Sequence, residues 1–260
     1  MAHLKLLTLN IGNPSIERAK KQVDWLKQRD EDVIVLTETK NSDGCHYISS
    51  YFSDYGYDLF SLNSASRYYV YYPLSKSNDL GVMIISKIPF LRAYSIFDKN
   101  DRFFARYAAC EIEYDSKILN IVGLYVPSRD ASMEKIDRKK EFCTHVANWL
   151  KNKTAQNTII CGDFNILSKS HIPHYSNFLN WEYRFYDLFG ELKYIDAFAF
   201  VAKDVNEYSW VGRTNDGYRY DYIFISDDLK SSLRDCRFIH QTRGENKITD
   251  HSAVVVDLDI

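Results

Sequence analysis

Short apolar runs recur along the chain, and most end abruptly in polar side chains. Leu4 to Leu9 reads as a strand closed by Asn10-Ile11-Gly12. Asn13 fits an N-cap with Pro14 at the first helical position. Ile16, Ala19, Val23 and Leu26 follow at helical spacing and predict a helix to about Arg29. Val33 to Leu36 is a continuous apolar run, as in strands buried on both faces, and it ends in Thr37-Glu38-Thr39-Lys40. The segment 41–78 is rich in Tyr, Ser and Asp with weak periodicity, which predicts loops and a short helix near Tyr47 to Phe52; His46 reads as a surface residue. Gly81 to Ser86 is the next strand. Tyr107 to Tyr114 and Ile118 to Tyr125 read as an antiparallel pair turning at Asp115-Ser116-Lys117.

The pattern then turns helical from about Ser132 to Lys151. Met133, Ile136, Cys143, Val146, Ala147 and Leu150 fall on the inner face, and Lys135, Arg138, Lys139 and Lys140 on a solvated one. Thr158 to Asn165 is a β-branched strand running into Gly162, Asp163 and Asn165. Alone, that octet reads as a strand entering an Asx turn. Phe178 to Leu192 reads as a helix. Asp196-Ala197-Phe198 and Tyr208-Ser209-Trp210 read as loops. Tyr220 to Ser226 and Ala253 to Leu258 are the closing strands, the last entered from Thr249-Asp250-His251.

With 260 residues, 45% hydrophobic, the chain fits one α/β domain spanning 1–260. The net charge of −2 does not mark a strongly basic polyanion binder, although a bound divalent metal would add positive charge that composition omits. Five dispersed cysteines without a CxxC pair point to a reducing compartment rather than a zinc or disulfide frame. No signal peptide and no run of transmembrane length is legible. A cytoplasmic, soluble monomer is expected, with no membrane or protein partner.

Polar residues at strand boundaries form the candidate site: Asn10, Glu38, Tyr125, Asp163, Asn165, Asp221, Asp250 and His251. Glu38, Asp250 and Asn10 are hard oxygen ligands suited to Mg²⁺, with Mn²⁺ as a substitute. Asp163 can orient or deprotonate a water. His251 with Asp221 makes a His–carboxylate pair whose imidazole is held in its charged form. Metal, base and cationic His together suit phosphodiester hydrolysis. A Ser/His/Asp hydrolase reading lacks its Gly-x-Ser-x-Gly elbow.

The chain resembles the endonuclease/exonuclease/phosphatase superfamily, in its exonuclease III and apurinic/apyrimidinic (AP) endonuclease branch. The resemblance rests on Leu9-Asn10-Ile11, Thr37-Glu38-Thr39-Lys40, Gly81-Val82 through Ser86-Lys87, Tyr125-Val126-Pro127 and Cys161-Gly162-Asp163-Phe164-Asn165. Tyr208-Ser209-Trp210, Arg219-Tyr220-Asp221-Tyr222 and Thr249-Asp250-His251 complete it, all in the family's order. It implies a four-layered α/β sandwich with two facing mixed sheets and outer helices. It also implies an Mg²⁺-dependent DNA nuclease, an AP endonuclease with 3′→5′ exonuclease activity in base excision repair.

By that analogy Glu38 is the main metal ligand, helped by Asn10 and Asp250. Asp163 and Asn165 handle the water, Tyr125 serves a phosphate or leaving-group oxygen, and His251, oriented by Asp221, binds a non-bridging oxygen. Ser128, Trp210, Tyr218 and Arg219 are the expected substrate contacts. Ser128 stands where the family often has Asn, Gly12 where it often has Asp or Asn, and Leu80 where an aromatic is usual. The loop from Val211 to Gly217 is short. These departures leave room for RNA, a nucleotide or a phosphorylated lipid as substrate. A catalytically inactive binding module is the reading from another class, set against an intact metal and His–Asp set.

Overall fold

The computed structural model describes residues 2–54, 68–76, 78–203, 205–244 and 247–260. Part of the expected loop region, 55–67 and 77, lies outside the described residues. In chain order the elements are β1 (His3–Asn10), α1 (Ile16–Leu26), β2 (Val33–Thr39), α2 (Asp43–Asp54), β3 (Tyr69–Tyr71), β4 (Gly81–Ser86), β5 (Phe90–Tyr94), β6 (Tyr107–Tyr114) and β7 (Lys117–Tyr125). They continue as α3 (Met133–Lys151), β8 (Thr158–Asp163), α4 (Asn180–Glu191), β9 (Tyr194–Asp196), α5 (Ala197–Val201), β10 (Trp210–Val211), β11 (Gly217–Tyr218), β12 (Asp221–Ser226), β13 (Leu233–Ile239) and β14 (Ala253–Asp259).

Two six-stranded sheets result, in the orders β13-β14-β1-β2-β4-β3 and β5-β6-β7-β8-β12-β9. The β1–β2 and β7–β8 pairs are parallel and the others antiparallel. Alternate residues of each strand serve different layers, as the two-residue period of a strand demands. Leu4, Leu6, Val33, Val35, Ile121, Ile159, Cys161, Ile223 and Ile225 meet between the sheets. Leu7, Leu9, Ile34 and Leu36 turn outward against α1 and α2. Val122, Leu124 and Ile160 turn outward against α3 and α4 through Phe142, Val146 and Phe189. This is the four-layered α/β sandwich the resemblance implies.

The same parity sets the site. Continuing each inner-facing series in steps of two residues reaches Asn10 on β1, Tyr125 on β7, Asp163 on β8 and, backward, Asp221 on β12. All four are nearly fully buried. Glu38 breaks the parity of β2. It adopts φ +55, and the β2–β4 register shifts between Thr37 and Thr39. That bulge re-aims the side chain.

Several local expectations are corrected. The N-cap of α1 is Ser15, whose Oγ accepts from the Arg18 amide, and the helix ends at Leu26. Asn13 is left-handed, at φ +41, and donates its N–H to the Glu38 carbonyl, so it belongs to the loop that buttresses β2. α2 runs longer than the short helix expected. The 196–198 segment is the end of β9 and the start of α5, with Asp196 capping the helix, and Trp210 opens a two-residue strand. β13 escaped the pattern because it is an edge strand whose Arg234, Asp235 and Arg237 interrupt the alternation, as edge strands tolerate. On α3, Met133 is exposed while Lys139 is buried.

Gly162 carries φ +135, and a Cβ there would lie 2.1 Å from the Leu124 carbonyl oxygen on β7. Both the backbone conformation and the parallel β7–β8 pairing require glycine. Gly162→Ala is therefore expected to cost about 3 kcal/mol or more in urea unfolding. A loss below about 1 kcal/mol would contradict this account of the strand.

Candidate active site

The two sheets open at the end where β1, β7 and β8 finish and β12 begins. Asn10 Nδ2 donates to Asp163 Oδ2 at 2.8 Å, linking one sheet to the other. Asn10 Oδ1 accepts from the Gly12 amide at 2.9 Å. The other Asp163 oxygen accepts from the Asn165 amide at 2.9 Å. Asp221 is the cross-strand neighbour of Asp163, so two carboxylates stand side by side on the inner face. Like charges in that position repel.

His251 relieves part of the repulsion. Its Nδ1 donates to Asp221 Oδ2 at 2.7 Å, which leaves Nε2 for the cavity. Asp221 is itself fixed from behind by its own amide, which donates to Ser209 Oγ at 3.1 Å. Burial disfavours the imidazolium, but Asp221, with Asp163 and Asp250 behind it, outweighs burial and lifts His251 to about 10. Asp163 is pushed well above the ordinary carboxylate range by burial and by Asp221, against the opposing charge of His251. Asp221 Oδ1 is buried with no hydrogen-bond partner. Candidate ligand atoms of Asp163, Asp221 and His251 lie within 4.8 Å of one another.

Glu38, Ser128, Asp163, Asn165, Trp210, Asp250 and His251 line one cavity of about 280 Å³. Glu38 is half-buried, and its Oε1 accepts from the Tyr125 hydroxyl at 3.1 Å. Burial holds that phenol far above its usual range, with Glu38 adding to the effect, so Tyr125 stays a donor. Arg106 packs on the Tyr125 ring at 4.7 Å and forks onto Asp79 at 2.8 and 2.9 Å. Asp250 is exposed and accepts from Trp210 Nε1 at 2.9 Å. The Thr249 hydroxyl donates to the Asn10 carbonyl at 2.7 Å, pinning the 249–251 turn against β1.

Three placements differ from expectation. Asn10 is fully buried behind Asp163 rather than on the cavity wall, because both ends of its amide are engaged. Tyr218 stacks between Tyr175 at 4.2 Å and Tyr220 at 5.1 Å, and Tyr220 is the ring that reaches the cavity. Arg219 turns away from the site. Its guanidinium is drawn to Asp196 at 2.9 Å and lies against the Phe198 and Tyr222 rings. Sequence reading missed Arg129, Lys139, Asn177, Phe178 and Glu182 on the wall, and Arg106 and Ser209 behind it. A strict helical wheel drawn through Phe142 and Val146 would have put Lys139 on the buried face.

The charges test whether a cation fits. Glu38, Asp163 and Asp250 face one cation, His251, across the cavity, while Arg129 and Lys139 share Glu182. Such a wall repels a phosphate. Glu38 and Asp250 each keep a carboxylate oxygen for a hard divalent cation, so the residues fit one.

Comparisons with known proteins bear on the family and the fold. A family model described as Endonuclease/Exonuclease/phosphatase family matches residues 7–251. An exodeoxyribonuclease of Bacillus subtilis (strain 168) is 25% identical over 275 residues, covering 99% of this chain and all of that protein. Among solved structures, an AP endonuclease from Archaeoglobus fulgidus matches with TM-score 0.80 at 21% identity. A 3′ phosphatase, NExo, from Neisseria bound to product DNA hairpin matches with TM-score 0.81 at 17% identity. Each covers 99% of this chain and 100% of the other.

The site makes the fold sensitive to pH. His251 and Asp163 both bind protons more tightly in the folded chain, so the stability they add is full below their unfolded values and lost as pH rises through the folded ones. For His251 the window runs from 6.5 to about 10. Metal-free protein should lose thermal stability between about pH 7 and 9.5, and His251→Gln should flatten that decline. Parallel curves for the two proteins would refute the assignment.

Proposed function

The chain belongs to the Endonuclease/Exonuclease/phosphatase family, and from that premise we propose that it is an Mg²⁺-dependent DNA phosphodiesterase, an AP endonuclease with 3′→5′ exonuclease activity serving base excision repair. The observation that carries the reading is the bonded series Asn10–Asp163 and Asp221–His251 beside the open carboxylate of Glu38. Relatives named as an exodeoxyribonuclease and an AP endonuclease support DNA as the substrate.

Asp163, held by Asn10 and by the Asn165 amide, orients the attacking water and accepts its proton. Asn165 Oδ1 helps to aim that water. His251 Nε2–H donates to a non-bridging phosphate oxygen, its charge maintained by Asp221, and so stabilises the charge that develops in the transition state. Tyr125 stays protonated and donates toward a phosphate or leaving oxygen. Glu38 and Asp250 would hold the Mg²⁺, which when bound supplies the positive charge the carboxylate wall lacks. Trp210 and Tyr220 offer faces for base or sugar stacking. Ser128 offers a hydroxyl to the phosphate.

Five buried free cysteines favour a reducing compartment such as the cytoplasm. No helix among the described residues is long and apolar enough to cross a membrane.

Purified protein with Mg²⁺ should nick an abasic-site duplex and degrade a 3′ end, and EDTA should abolish both. Glu38→Gln should be inactive yet folded, and His251→Ala should lose roughly 10²–10³-fold in kcat. A panel of abasic, 3′-recessed, 3′-phosphate, single-stranded and RNA substrates tests the substrate. Hydrolysis of RNA or a simple phosphodiester without DNA cleavage would reject DNA, and full activity in Glu38→Gln would reject the centre.

A further inference from the structure

Lys139 is 1% exposed, although its helix neighbours Lys135 and Lys140 face solvent. Its Nζ donates to Glu182 Oε1 at 2.5 Å and to the Asn165 carbonyl oxygen at 2.6 Å. Glu182 Oε2 accepts from the Leu179 amide at 2.8 Å and from Arg129 Nη2, which also donates to the Asn177 carbonyl at 2.8 Å. Two cations thus share one buried carboxylate on the wall of the cavity. Burying an ion pair adds little to stability by itself. What sets this one apart is its third bond, which goes to a residue of the candidate centre.

Asn165 needs that support. It adopts φ +49, a left-handed conformation that asparagine tolerates better than other side chains but that persists only where its surroundings hold it. Three bonds do so. Its amide donates to Asp163 Oδ1, its Nδ2 donates to the Val126 carbonyl at 3.0 Å, and its carbonyl accepts from Lys139. Its Oδ1 is then the polar atom left for the cavity. Releasing the carbonyl lets the peptide relax, and the Asp163–Asn165 bond shifts with it.

We propose that Lys139 is a positioning residue for hydrolysis: its ammonium, by its bond to the Asn165 carbonyl, fixes the left-handed backbone of Asn165 and so aims Asn165 Oδ1 and Asp163 at one point in the cavity. This rests on the reading of Asp163 and Asn165 as the water-handling pair.

Three variants separate positioning from stability. Lys139→Met should lose roughly 10- to 100-fold in kcat on a 3′-recessed DNA duplex, with KM within about twofold. It should also lose thermal stability, because Glu182 Oε1 and the Asn165 carbonyl are both left buried without that donor. Lys139→Met with Glu182→Gln, in which Arg129 loses its carboxylate, should remain as slow as the single variant whatever its stability. Glu182→Gln alone keeps the donor to Asn165 and should hold kcat within about threefold of wild type even where stability falls. Amide hydrogen exchange over 163–167 should speed up only when Lys139 is replaced. Wild-type kcat in the double variant, or an equal loss in Glu182→Gln, would overturn the proposal. Glu38→Gln runs beside them as the control: if it is active, the centre itself is misassigned; if it is inactive while Lys139→Met is not, only the role of Lys139 fails.

Discussion

The hydrogen bond from Asn10 to Asp163 spans the mouth of the sandwich and joins residues 153 positions apart. Everything at the site follows from closing the two sheets at that point. The β8–β12 pairing sets Asp163 beside Asp221, and packing the inner faces sets Glu38 across from them, in a place that water cannot fully solvate. The fold has to neutralise what it concentrates. A buried amide, a charged imidazole and the backbone N–H of Asn165 do part of this. A cation at Glu38 and Asp250 would do the rest. The protein's solution to its own repulsion is thus the apparatus that a phosphate anion requires.

Much of this was legible in the sequence because strands have a period of two. Leu4, Leu6 and the positions after them put Asn10 on the inner face, and Ile159 and Cys161 do the same for Asp163. Knowing that these strands face one another turns separate polar endings into one cluster. Glu38 was legible as a polar strand ending but not from parity, which points it away from the inner face until a bulge with φ +55 corrects it. Such a bulge leaves no mark in the hydrophobic pattern. β13 and β5 were not legible because edge strands need only one protected face, and β13 is laced with charge.

The largest misreadings concern long cationic side chains. Lys139 was assigned to water by the run of positive charge around it, and Arg219 to the substrate by its motif. Neither assignment considered the partner. Glu182 comes from the helix after Lys139 and Asp196 from a strand before Arg219, so the carboxylate that draws each cation inward is distant in sequence. Charge alone predicts exposure. Charge with a buried carboxylate of its own predicts a strut, and only tertiary structure supplies the carboxylate.

Chemistry and selection occupy different parts of the molecule. The hydrolytic groups sit at the ends of strands in the middle of both sheets, where a small displacement would disturb packing on both sides. Trp210, Tyr218 and Tyr220 stand on or beside the small β10–β11 ribbon and lean on one another, with Tyr175 closing the stack. Trp210 is tied to the centre through its bond to Asp250, and Tyr220 through its carbonyl, which accepts from the Phe164 amide. The outer rings, Tyr218 and Tyr175, can change with less disturbance to the carboxylates. Changes at Gly12 are not insulated in this way. Gly12 donates its amide to Asn10 from a left-handed backbone at φ +62, which a side chain would strain although it would meet Arg18 and Thr249 only at contact distance. The glycine at position 12 is thus coupled to the carboxylate cluster, and the departures near the ribbon are not.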